Sequence, residues 1–221
     1  MHGRRTESVG RGAAGVLHEL IDLLLAKGAR LAAPGAGNGH ALVNGCLANG
    51  RPEGAEHLAQ RGAPLDLEGA AGVGRLDVVK QLLATSSASQ MNDGFGWACT
   101  YGRTGVVEYL LDHGVDINEL TRPHKQTGLH GAAVSGNIET VKALLKRGPK
   151  LDIREGSFDS TPLGWALYGW WERRQEPARQ EPFYDIVGLL VAAGAPIEAS
   201  WLTGDNAIMD PRMRSLLRRS A

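Results

Sequence analysis

One pattern returns along this 221-residue chain: an apolar pair, two further residues, then glycine. It stands at Leu24-Leu25 before Gly28, Leu58-Ala59 before Gly62, Leu110-Leu111 before Gly114, Leu144-Leu145 before Gly148 and Leu190-Val191 before Gly194. These glycines are 34, 52, 34 and 46 residues apart. The clearest copy is Thr127–Gly148. There Ile138, Val141, Leu144 and Leu145 fall on one face of a 3.6-residue period, and Gly148 stands where a helix takes a left-handed C-cap. Gly136-Asn137, a turn pair, separates this helix from a shorter run, Leu129-His130-Gly131-Ala132-Ala133. Isolated helices under about 12 residues are marginal in water, so such a hairpin has to stack on something. The other copies are at hand, and a recurrence near 33 residues predicts a stacked array rather than a single globular core.

The 52-residue interval hides a further copy, Leu76 to Leu83, whose closing glycine is replaced by the polar stretch Ala84–Asn92, which is expected to be a loop. Units are expected near 17–33, 41–67, 68–92, 93–118, 127–153 and 161–199, with a cap over 200–221. Residues 1–16, rich in Gly and Arg, are expected to be weakly ordered, which leaves the first unit half a hairpin. Terminal units of arrays are usually atypical. The sixth unit carries an insert over 170–183, and the chain closes on Asp210–Arg219, a helix with Asp210 as N-cap and Pro211 in its first turn.

Composition narrows the function. The charge balance is 24 against 24, so nothing drives the chain toward nucleic acid or an anionic membrane. Cys46 and Cys99 lie in apolar helical runs and form no metal spacing. The start of the chain lacks the apolar core of a secretory signal, and no apolar run approaches a membrane span. A cytoplasmic protein, monomeric by default and without cofactor or metal, is the expectation. Nucleophile-elbow, phosphate-loop and zinc signatures are missing.

Thr127-Gly-Leu-His-Gly-Ala132 and Thr161-Pro-Leu-Gly-Trp-Ala166, with the helix-closing tail Leu110–Asn118, resemble the ankyrin repeat. The resemblance covers nearly all of 17–197. It implies an all-α solenoid of five to six helix-turn-helix units with short tip turns and a C-terminal capping helix. The full Thr-x-Leu-His string occurs once; the histidine position is Asn44, Glu68, Gly96 and Gly164 in other units. His130 is therefore read as the structural histidine that ties neighbouring tips. Glu68 replaces a small or His residue at a usually inward place.

The family likeness also implies function: non-catalytic binding of another protein through the concave groove and the tips. Candidate contacts are Asp93, Phe95, Lys125, Gln126 and Asp159 at the tips, with His124 and Ser160 beside them, and Trp97 and Tyr101 on a first helix. The insert adds Tyr168, Trp170, Trp171, Arg173 and Arg174, residue types common at interface hot spots. Folding back as a buried cap is the other reading of those aromatics. The alternative function is an enzyme or small-molecule binder with an aromatic C-terminal pocket around Trp165, Tyr168 and Trp170.

Overall fold

The computed structural model describes residues 6–31, 41–122, 125–203 and 208–218, and for residues 6–14 the backbone alone. His124 and Arg219 lie outside the described residues. Among those described there is no strand, only one isolated bridge between Thr121 and Gln126.

The chain opens with α1 (Thr6–Ala26) and continues as helical hairpins. These are α2 (Ala41–Ala48) with α3 (Pro52–Gln60), α4 (Leu67–Val73) with α5 (Leu76–Leu82), α6 (Ala88–Thr100) with α7 (Thr104–Asp112), and α8 (Gly128–Ser135) with α9 (Ile138–Leu145). The last hairpin pairs α10 (Pro162–Glu172) with α12 (Pro182–Ala192), across the short α11 (Pro177–Gln180). Helix α13 (Pro211–Leu217) closes the stack against α12. Asp210 accepts the Met213 N–H at 2.7 Å, and Met213 and Leu217 are buried beneath it.

The array holds together because each hairpin buries its apolar face on the next. One apolar cluster runs from Leu67 through Leu217, and a smaller one around Val43, Leu47, Ala55 and Leu58 serves the first hairpins. The first helices of successive units pack much more closely than the second helices do. Small residues permit this. A Cβ on Gly128 would lie 2.6 Å from Cys99 Sγ and from the Phe95 ring, and one on Gly72 would lie 2.5 Å from Leu47. Ala132 and Ala133 are fully buried. Close first helices and looser second helices curve the stack, with the first helices on the inner side.

Two boundaries differ from expectation. Helix α1 begins at Thr6, so residues 6–16 are helical; once Leu17–Ala26 is nucleated, each added residue gains a hydrogen bond and the helix propagates. The stretch Ala84–Asn92 is not a loop throughout. After a 3-10 turn at Leu83–Thr85, Ser87 caps α6 in a capping box with Gln90. Gln90 N–H donates to Ser87 Oγ at 3.2 Å, and Ser87 N–H donates to Gln90 Oε1 at 2.9 Å. The fourth unit therefore starts five residues before Asp93, and Asp93 sits within a helix rather than at a tip.

Candidate functional site: the concave face

The inner surface is built from the solvent sides of α6, α8 and α10 and from two tip turns. The first tip is the Thr121–Gln126 turn. It closes with Thr121 N–H donating to Gln126 C=O at 2.9 Å. Arg122 fastens it to α6: its backbone N–H reaches Asp93 Oδ1 at 2.8 Å, and its guanidinium reaches Asp93 Oδ2 at 2.7 Å. The second tip, 155–160, winds around Glu155, whose buried carboxylate accepts backbone N–H groups of Ser157, Phe158 and Ser160. Burial pushes that carboxyl up, but the backbone donors outweigh it and hold the group below its ordinary range. Gly156 N–H donates to Lys125 C=O at 3.2 Å, so the two tips form one ledge.

His130 joins the tips from below. Its Nε2 faces Ser160 C=O at 3.1 Å, and its Nδ1 faces Thr127 Oγ at 2.7 Å and Thr127 N at 3.2 Å. A carbonyl can only accept and a backbone N–H can only donate, so Nε2 carries the proton and Nδ1 accepts. Burial pushes the imidazole down to about 4, and the ring is neutral at ordinary pH. The Glu155 charge opposes that shift without cancelling it, and with Ser160 on one ring nitrogen and Thr127 on the other the imidazole ties the two tips together.

Between the first tip and the helices lies a cleft of about 160 Å³, walled by Leu47, Gly96, Trp97, Tyr101, Arg122 and Gln126. Trp97 and Tyr101, one turn apart, stack with centroids 5.9 Å apart. The Tyr101 hydroxyl donates to Leu47 C=O across α4, whose small residues leave room for this reach. Beside it, Glu68 is half-buried. Its carboxyl lies above the ordinary range, through burial first and then the charges of Asp66 and Asp93, while Arg122 and a hydrogen bond from Trp97 oppose the shift.

Further along, α10 shows an aromatic ridge. Phe158, at the second tip, meets Trp165 edge-on at 5.6 Å, and Trp165 meets Tyr168 edge-on at 5.4 Å. Phe158 is 73% exposed, Tyr168 50% and Trp171 53%. Arg174 lies over the Trp171 ring at 4.3 Å.

The candidate contacts therefore divide. Trp97, Tyr101 and Gln126 line the cleft; Lys125 and Asp159 stand exposed at the tips, both with positive φ; Tyr168, Trp171 and Arg174 lie on the ridge. Four others are corrected to support. Asp93 is buried as the anchor of Arg122, and Phe95 is buried in the core. Trp170 is buried against Tyr184, their centroids 6.2 Å apart. Arg173 donates to Gly169 C=O at 2.9 Å and lies 4.8 Å from the Phe183 ring. Trp165, Tyr168 and Trp170 thus do not converge on one pocket, because Trp170 faces the core while Tyr168 faces solvent. Two contributors went unnoticed in the sequence, Arg122 and Phe158. A lone aromatic among Gly, Ser and Asp was the available signal for Phe158; Arg122 offered none.

Among the described residues no group of three or more His, Cys, Asp or Glu side chains could hold a metal ion, and no helix is long and apolar enough to cross a membrane.

A family model for ankyrin repeats, three copies, matches residues 67–155. Cyclin-dependent kinase 4 inhibitor B of Bos taurus is 35% identical over 107 residues, which cover 44% of this chain and 78% of that protein. E3 ubiquitin-protein ligase hecd-1 of Caenorhabditis elegans is 42% identical over 59 residues; the match covers 27% of this chain and only 2% of the ligase. In three dimensions the chain is similar to the human ASB11 ankyrin repeat domain, with a TM-score of 0.55 at 22% identity over 94% of each chain.

Proposed function

This chain belongs to the ankyrin-repeat family, and from that premise we propose that it is a non-catalytic module that grips another protein along its concave face. Ankyrin repeats are generally protein–protein interaction modules. The observation that carries the finer reading is the pattern of exposure on α10: Tyr168 and Trp171 stay half in solvent on a helix whose neighbouring residues, Leu167, Gly169 and Trp170, are buried. A chain that buries Trp170 and leaves Trp171 out presents Trp171 to something else. The ridge supplies aromatic anchors, the cleft beside Trp97 accepts about one partner side chain, and Lys125 and Asp159 form a polar rim. The partner is a protein, with neither nucleic acid nor lipid involved, and the site of action is the cytoplasm.

Affinity capture tests this. The double substitution Tyr168→Ala/Trp171→Ala is expected to lower recovery of the specific partner at least tenfold while leaving the melting temperature within about 3 °C of wild type. Equal recovery by the two proteins would remove the ridge from the binding site.

A further inference from the structure

Among the described residues no first helix packs closely with α1. The second helices α3, α5, α7, α9 and α12 each carry the first helix of their own unit. Helix α1 packs on α3: Leu17 lies 2.7 Å from where a Cβ on Gly54 would stand, and Asp22 pairs with His57 and Arg61 at 2.8 and 2.5 Å. Its opposite side carries Val16, Leu20, Leu23 and Leu24, which are 65, 50, 56 and 50% exposed. A helix that is apolar on both sides is one that is normally covered on both sides.

We propose that this face is covered by the same face of a second copy, α1 against α1, in an antiparallel homodimer. The apolar surface continues the stacking interface of the array itself, so a copy placed there extends an interaction the chain already uses. The area suffices: four large side chains about half exposed offer roughly 400 Å² per copy, so a pair with its polar rim buries on the order of 1,000 Å², the lower bound for a specific interface. Charge fixes the direction. Glu19 and Lys27, both exposed, flank Leu23 one turn to either side. An antiparallel pair brings Glu19 of one copy toward Lys27 of the other, whereas a parallel pair sets like charges together. A patch that meets itself about a two-fold axis closes as a dimer and does not propagate.

Sedimentation equilibrium of the full chain, across a wide concentration range, tests this. The expected mass is twice 23.5 kDa. Leu20→Glu/Leu23→Glu is expected to be monomeric, with the helical circular dichroism and cooperative melting of wild type. Lys27→Glu alone is expected to weaken the dimer about tenfold, and Glu19→Lys/Lys27→Glu to restore it. Should the leucine double variant misfold, the charge pair decides, since both positions are exposed. A wild-type mass of 23.5 kDa, or a dimer indifferent to both sets, overturns the proposal.

Discussion

Phe183→Ala is expected to destabilise the protein by about 3–5 kcal/mol, the largest effect of any single aromatic truncation in the C-terminal third. Phe183 is 1% exposed. Its ring fills the space left by two glycines: a Cβ on Gly169 would lie 2.5 Å from it, and one on Gly136 would lie 3.2 Å away. On a third side the Arg173 guanidinium stacks over it. The ring therefore locks α12 onto α8 and α10 after the insert has carried the chain out and back. Alanine leaves a cavity that neither neighbouring helix can fill, because the residues facing it are already glycine. Trp171→Ala, although it removes a larger side chain twelve residues earlier in the same fold-back, is expected to cost about 1 kcal/mol or less. Urea unfolding of the two variants checks the contrast. Similar losses for both would mean that Trp171 is part of the cap and not of the outer face.

The second large effect is acid sensitivity from His130. Its folded-state pKa is depressed to about 4 from an ordinary 6.5. The unfolded chain therefore takes up the proton first as pH falls, and the folded chain resists it. Stability from this group is fully present above pH 6.5 and is lost progressively as pH falls from 6.5 to 4, by about 3 kcal/mol in all. His130→Ala is expected to lower stability at pH 7.5 by about 2–4 kcal/mol, since it leaves Ser160 C=O and Thr127 N–H without their partner in a buried place. It is also expected to flatten the acid limb: between pH 6.5 and 4.5 the gap between wild type and variant should narrow. Unfolding at several pH values measures that difference, in which the other titrating groups cancel. A gap that stays constant with pH would mean that the imidazole titrates normally and is not held neutral by the fold.

The architecture was legible because a solenoid must repeat itself. Gly28, Gly62, Gly114, Gly148 and Gly194 all adopt positive φ at the ends of helices, and that single conformational demand sets the register of the whole chain. The start of α6 was hidden because Ser87-Ala-Ser-Gln90 lies in a stretch whose composition resembles a loop; its capping box outweighs the composition. Misplacing that start put Asp93 and Phe95 on a tip, when they belong to an inward helix face. The insert was half legible. Adjacent residues on a helix point about 100° apart, so one of Trp170 and Trp171 had to be more buried than the other. Only the position of Phe183 and Tyr184 decides which. Arg122 escaped because tip residues have no period to betray them; its partner, Asp93, is 29 residues away in sequence.

The most direct test of the concave face is photocrosslinking to the captured partner, with a photoreactive phenylalanine placed at Tyr168 on the inner side and, separately, at the exposed Glu108 of α7 on the outer side. Both positions are open to solvent, so both probes leave the fold intact. A covalent adduct is expected from position 168 and none above background from position 108. Adduct from 108 with none from 168 would contradict it, and would place the partner on the second helices instead.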